Sequence, residues 1–463
     1  MTDELRTEKD SLGEVAVPAD ALFGAQTQRA ATNFPVSGLR LPRPIIRSLG
    51  LIKKAAAELN KDAGHLPPAI ADAIVTAALE VAAGQHDDQF VVDIFQTGSG
   101  TSSNMNANEV IANRAIQILG GRIGSKTPVH PNDHVNKGQS SNDVFPSAVH
   151  IAAVEAVERD LLPALRALEG ALDSKARAFD HIVKIGRTHL MDAVPIRLGQ
   201  EFSGYAAMLT SSIRRVESVC GALCQLALGG TAVGTGLGAD PAFARRIIGV
   251  IGREVALPLR QAPNLFEALA THDGLVEASG ALRATAVSLT KIANDVRWLG
   301  SGPRCGIGEL HLPDLQPGSS IMPGKVNPVM AEMLLQACAQ VIGNDATIAW
   351  GGAAGNFELN VMTPVMAYNF LQSTEILANG CRLFAARCIE GIEPNEDRCT
   401  SLVEQSLAMV TALVPRIGYD AAAAIAQESV KTGKTVRQIC MEKNVLPADE
   451  LTRLLDPLSM TGR

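Results

Sequence analysis

Aromatic side chains are scarce in this chain. They make up 4% of 463 residues, with two Trp and three Tyr, while hydrophobic residues as a whole make up 46%. A β-sandwich draws heavily on aromatic and β-branched residues, so an abundance of Ala and Leu with so few rings favours long, tightly packed helices. There is no excess of positive charge. Forty-one Lys and Arg against 48 Asp and Glu leave a net charge of −7, which excludes a basic nucleic-acid-binding surface. An acidic chain that binds an anion must therefore do so with locally placed donors. The eight cysteines, at 220, 224, 305, 338, 381, 388, 399 and 440, contain no Cys-x-x-Cys pair. They are expected to be reduced, buried thiols, and Cys220 and Cys224 lack further ligands for a metal. No stretch of about 18 uncharged apolar residues is present, so no transmembrane helix is expected. Residues 1–6 have no apolar core of a secretory signal, and the expected location is the cytoplasm. No Gly-x-Gly-x-x-Gly follows a strand and no Gly-Lys-Ser/Thr closes a glycine loop, so no nucleotide or nicotinamide cofactor is expected. The expected chemistry is redox-neutral, without metal or flavin.

What is present is helical periodicity. Residues 45–60 and 67–86 are Ala-rich helical patterns, the second opened by Pro67 and Pro68. From 143 to 179, Val154, Val157, Leu161, Leu165, Leu168 and Leu172 recur every three or four residues, and Pro163 predicts a kink. Phe202, Tyr205, Leu209, Ser212, Val216, Val219, Leu223 and Leu226 form the stripe of a helix over 198–228. Leu275, Ala278, Leu282, Leu289, Ile292, Val296 and Leu299 mark another over 266–299, and 328–350 and 361–386 complete a set of five. Helices this apolar on more than one face are buried on more than one face, so the bundle is expected to be shared between subunits. Residues 13–18 read as a short strand, 184–192 as a strand or loop, and 229–238 as a glycine-rich turn against a neighbouring chain. Short helices at 407–413, 419–432 and 436–442, then a polar tail, form a small C-terminal domain. The expected domains are 1–138, 139–392 and 393–463. The fold class is mainly α.

Four polar segments interrupt this pattern. Residues 96–108 are almost entirely small hydroxyls and amides leading into a helix at 109–119, and they read as a carboxylate cradle. Gln139 to Asp143 is a second cluster of neutral donors; Asn142 and Asp143 also suit a helix N-cap. His189 stands out among nine histidines because Arg187, Thr188 and Asp192 surround it. In residues 318–332, Ser319 and Ser320 follow a glycine, Pro323 and Gly324 allow movement, and Lys325 and Asn327 lie just before a helix opened by Pro328. Donors at a helix N-terminus are suited to an anion.

The 318–332 stretch resembles the signature loop of the fumarase/aspartase superfamily, and residues 24–29 and 186–189 resemble further motifs of that family. The resemblance implies a three-domain fold with a central long-helix bundle, shared in a homotetrameric core, and active sites built from several chains. It implies substrate binding by Ser99, Gly100, Thr101, Ser140, Ser141, Asn142, Thr188, Ser320, Lys325, Val326 and Asn327. It implies Ser319 as the base and His189, paired with Glu332, as the acid. It also implies a second anion site at His130, Pro131, Asn132 and Asp133, with Lys126 as a nearby cation. Gly138 departs from the family, which often has Ser there. Glu332 alone would be equally at home as a carboxylate favoured by a helix dipole.

Within the superfamily, residues 96–101, 139–143 and 322–327 are closer to class II fumarases than to aspartases, whereas residues 190–195 and Val329 also fit aspartase-like patterns. The expected reaction is reversible hydration of fumarate to (S)-malate, a step of the tricarboxylic acid cycle. The alternatives are aspartate ammonia-lyase and a catalytically dead structural relative. The expected partners are a small dicarboxylate substrate and three further copies of the chain, with no nucleic acid and no membrane.

Overall fold

The computed structural model describes residues 4–462. Among these are seventeen α-helices and four two-stranded sheets, so the mainly-α expectation holds. The stripes read from periodicity are the buried ones. Val154, Val157, Leu161, Leu165, Leu168 and Leu172 are fully buried, as are Phe202, Leu209, Ser212, Val216, Leu223 and Leu226. Each such aliphatic or aromatic side chain contributes about 1.5–3 kcal/mol over its exposed state.

The chain divides into two compact units, each built from three separated segments. One contains the chain up to Pro163, Arg214–Ala284 and Ala339–Leu377; the other contains Ala164–Ile213, Thr285–Cys338 and the chain from Ala378 onward. In the first unit, prolines at the first turn open the Arg43–Asp62 and Pro68–Ala83 helices, where a missing N–H is harmless. Gly84, in the left-handed region at φ 88°, closes the second. Ser279 and Arg283 of the Asp273–Leu299 helix bind Asp345 of the Val329–Gly352 helix. Asn344 of the latter donates to Gln372 and Ser373 of the Thr363–Arg387 helix.

In the second unit, Tyr205 of the Leu198–Leu223 helix donates to Asp295 of the Asp273–Leu299 helix at 3.0 Å. Strands Val183–Thr188 and Met191–Arg197 form an antiparallel hairpin with a register shift between Ile185 and Arg187. Ile185 packs into a cluster with Val403, Met409, Leu413, Val436, Ile439 and Leu455, so the C-terminal helices hold one strand of the hairpin. Thr435 and Gln438 form a reciprocal capping box that starts the Val436–Glu442 helix within that cluster.

Several expectations need correction. The long helix at 143–179 begins at Ser141, with Ser140, not Asn142 or Asp143, as its N-cap. Its interruption is a π-helical turn at Val157–Leu161, just before Pro163. Pro163 has no N–H for the carbonyl four residues back, and the ladder widens there. The helix expected at 109–119 starts eight residues earlier, at Thr101. The single helix at 266–299 is two, Leu265–Ala270 and Asp273–Leu299, separated by Thr271 and the buried His272, whose Nε2 bonds Thr363 Oγ1 at 3.0 Å. Apolar spacing continues across that break, which is why periodicity did not mark it. The helix expected to reach 228 stops at Leu223, and strand Gln225–Leu226 pairs in parallel with Arg260–Gln261 just ahead of the glycine-rich segment. Leu407–Leu413 is a 3₁₀ helix, and the supposed polar tail contains the Ala448–Leu454 helix. Cys305 is exposed, unlike the other seven cysteines.

Truncating Ile439, which is fully buried in the cluster that carries Ile185, leaves a cavity. Ile439→Ala is expected to lower stability by about 2–5 kcal/mol, read from the midpoint of urea unfolding.

Candidate active site

Residues 96–108 and 139–143, both in the first unit, converge on two helix N-termini. Gly100 caps the Thr101–Ile118 helix at φ 75°, and a Cβ there would lie 2.2 Å from the Phe145 ring. Only glycine satisfies both conditions. Gln96 Oε1 accepts from Ser103 N at 3.0 Å and Ser103 Oγ at 2.9 Å, satisfying a donor of the first helical turn. Ser99 Oγ and Thr101 Oγ1 are 2.8 Å apart. Ser140 caps the Ser141–Ala156 helix in a capping box with Asp143. Asn104 Nδ2 donates to Ser141 Oγ at 3.0 Å, holding the two helix starts together. Ser99, Gly100, Thr101, Ser140, Ser141 and Asn142 thus form one cradle of neutral donors and helix-terminal N–H groups, suited to a carboxylate. Asn142 Nδ2 is turned to Ala232 O at 2.8 Å.

Beneath the cradle lies a buried polar layer that periodicity could not reveal. Lys53 is fully buried and donates to Asn136 Oδ1 at 2.9 Å and Gln139 Oε1 at 3.0 Å. Asn104 and Asn108 donate to the same Asn136 oxygen, at 3.3 and 3.2 Å. Burial pulls the Lys53 ammonium down to about 7, and the Asp143 carboxylate partly offsets this. Asp143 is itself buried, and accepts from Gly229 N at 2.9 Å and Thr231 N at 3.0 Å. Burial pushes its carboxyl up, and the Ser140, Gly229 and Thr231 N–H groups and Lys53 pull it back. The glycine-rich segment therefore docks on Asp143 and Asn142 of its own chain.

In the second unit, His189 and Leu190 form the tip of the 183–197 hairpin, at φ 57° and 61°. A two-residue turn with both φ values positive matches the right-handed twist of the strands. His189 and Thr188 are exposed. The signature loop closes on itself: Gly318 N donates to Lys325 O at 2.7 Å, and Asn327 Nδ2 donates to Gly318 O at 2.9 Å. Ser319 Oγ accepts from Met322 N at 2.9 Å and Ile321 N at 3.3 Å. Two N–H groups aimed at one hydroxyl oxygen favour its anionic form. Lys325 Nζ donates to Asn327 Oδ1 at 2.7 Å. Ser320, Lys325 and Val326 are exposed.

A family model described as a lyase matches residues 13–343, and one described as the fumarase C C-terminus matches residues 409–462. The chain is 54% identical over 457 residues to a class II fumarate hydratase of Rhizobium meliloti (strain 1021), covering 99% of both chains. It is 57% identical over 460 residues to one of Mycobacterium tuberculosis (strain CDC 1551 / Oshkosh), covering 98% of this chain and 96% of the other. The chain belongs to the class II fumarate hydratase family. A crystal structure of recombinant class II fumarase from Schistosoma mansoni superposes with a TM-score of 0.95 at 41% identity, covering 99% of each chain.

Set within that fumarase family, the site residues of the single chain fall into separate groups. The 99–101 and 140–142 groups lie at the starts of two helices joined by the Asn104–Ser141 hydrogen bond. Ser319, Lys325, Val326 and Asn327 share one loop. His189 and Glu332 make no hydrogen bond or ion pair with each other among the described residues; Glu332 lies in the first turn of the Val329–Gly352 helix. His130 caps the π-helical turn Pro131–Val135, its Nδ1 accepting from Asn132 N and Asp133 N, both at 3.2 Å. The same nitrogen lies 3.4 Å from Asp133 Oδ2. Lys126 donates to the Lys9 carbonyl instead of toward that turn. Sequence reasoning missed Lys53, Asn104, Asn108 and Asn136. The one signal for them was three Asn in the five residues from 104 to 108 alongside an ordinary-looking Ala-rich helix.

The Lys53 shift gives a pH test. Its ammonium titrates near 7 when folded and near its ordinary 10.5 when unfolded. The unfolded state holds more protons between those values, so this term raises stability as pH rises from 7. Lys53→Met is expected to flatten the slope of unfolding free energy between about pH 7 and 8.5, measured in urea at a series of pH values. An unchanged slope would show that Lys53 stays charged across the range.

Proposed function

We propose that this chain catalyses the reversible hydration of fumarate to (S)-malate, with Ser319 as base and His189 as acid. The observation that carries the reading is the pair of N–H groups on Ser319 Oγ in a loop that also presents Lys325 and Asn327. Starting from malate, the proton to be removed lies next to a carboxylate, and the carbanion is unstable unless its charge moves into an aci-carboxylate held by directed donors. Lys325, Asn327 and loop N–H groups supply those donors. A serine is a weak base, and N–H donors at its oxygen stabilise the alkoxide that does the work. His189 delivers a proton to the departing hydroxyl, directly or through water. Glu332 orients and charges the imidazole. The Ser99–Thr101 and Ser140–Asn142 cradle holds a substrate carboxylate. The resemblance also assigns a second anion site to residues 130–133.

The assembly we propose is a homotetramer in which each site draws the 130–143, 184–192 and 318–332 segments from three chains. Support comes from apolar residues left exposed on the long helices, among them Trp298, Ile342, Trp350 and Leu383, and from an exposed His189 with no side-chain partner among the described residues. The three-domain division at 139 and 393 belongs to the same reading, as does a cytoplasmic location.

Purified protein should convert malate to fumarate, followed by ultraviolet absorbance, faster than it deaminates aspartate. Faster release of fumarate from aspartate would make it an ammonia-lyase, and no turnover of either would leave a structural relative.

Shared sites predict complementation. Inactive His189→Ala and Ser319→Ala proteins, dissociated and reassembled together, should recover part of the parental activity. Proven mixed tetramers without activity would count against sites shared between chains.

A further inference from the structure

His189 is exposed and has no side-chain partner among the described residues, so its place depends on the backbone that presents it. That backbone is a tight turn with two successive residues at positive φ, and such a turn is held only when its surroundings over-determine it. Two residues before the imidazole, Arg187 leaves the strand and meets Glu309. Arg187 Nη1 and Nη2 donate to Glu309 Oε2 and Oε1 at 2.9 and 3.0 Å, a two-point fork. The Glu309 side chain is 0% exposed and that of Arg187 20%. Lys184, one strand pair earlier and also buried, lies 3.3 Å from Glu309 and 3.2 Å from Glu201. Glu309 is fixed at its own backbone as well: its N–H donates to Leu299 O and its carbonyl accepts from Asn395 N, both at 2.9 Å.

The strand itself is irregular at this point. The register slips between Ile185 and Arg187, and a Cβ on Gly186 would lie 2.7 Å from Val194 O. A bulge re-aims the side chains beyond it, so strand pairing alone does not determine where the tip points. The Arg187–Glu309 fork is the rigid contact nearest the tip. We propose that Glu309 is a positioning residue for the reaction: by gripping Arg187 it sets the direction of the hairpin tip, and with it the His189 imidazole. A buried ion cluster adds little net stability over a well-packed apolar one, whereas a planar fork fixes direction.

This inference rests on His189 being the acid, and the test separates the two. Glu309→Asp and Arg187→Lys keep each buried charge but break the fork. Both are expected to lower kcat by about 10- to 100-fold, the effect of misplacing a reacting group by about an ångström. KM should move less than kcat, because every assigned carboxylate donor except Thr188 lies on another segment. Thermal midpoint and tetramer mass should stay near the parental values. Arg187→Lys, at the less buried partner, carries the test alone if Glu309→Asp does not assemble. His189→Asn is the control. If it keeps parental kcat, the reading of His189 as acid fails. If it is inactive while both fork variants keep parental kcat, or lose kcat only in step with loss of the tetramer, Glu309 has no positioning role.

Discussion

A carboxylate with no access to water holds one half of this site together. Asp143 is buried at the start of a helix, and burial of an unpaired charge is among the most costly arrangements in a protein. Its compensation comes from the Ser140 N–H, the Gly229 and Thr231 N–H groups and the nearby Lys53 ammonium. Each of these partners belongs to something the site needs: the capping box, the glycine-rich segment, and the layer of amides under the cradle. Moving any one of them would leave a charge unsatisfied, so the neutral donors above are positioned by the electrostatics below.

The second unit uses the same device. Glu309 is completely buried and shared between Arg187 and Lys184, and the hairpin bearing His189 extends from that cluster. In both units buried charged side chains support residues assigned to chemistry: Lys53 and Asp143 under the half-buried cradle, and Glu309 with Lys184 behind the hairpin that carries the exposed His189. For a chain with net charge −7, this separates two tasks. Overall field does not attract a dianion, and short-range donors at helix ends and in the signature loop must do so. Those donors are useful only if they are preorganised, because reorganisation at the moment of reaction offsets the stabilisation they offer.

The signature loop differs from both in being closed by its own backbone. Gly318 is irreplaceable there, since a Cβ would lie 2.8 Å from Asn327 N and from Lys325 O. The closure brings the N–H groups of Ile321 and Met322 to Ser319 Oγ without help from any other segment. Ser319 therefore acquires its environment locally, whereas His189 and the cradle acquire theirs from distant parts of the chain.

That difference sorts what was legible in the sequence. Buried stripes such as Val154 to Leu172 were readable because helical periodicity is a local property of a few turns. The composition of 318–332 and 96–108 set both apart as candidate sites, because uncharged hydroxyls and amides seldom run straight into an apolar helix. Boundaries were less legible. The early start at Thr101 depends on Gly100 adopting a left-handed conformation, and the break at His272 depends on a hydrogen bond to Thr363, 91 residues away. Lys53, Asn136 and Glu309 carried no signal of their own. Their roles come from burial and from partners far along the chain: 83 residues separate Lys53 from Asn136, and 122 separate Arg187 from Glu309. Local patterns in the chain are enough to mark most of its helices, their apolar faces and the candidate polar segments. Which charges are buried, and what compensates them, depends on contacts between distant segments that no local pattern records.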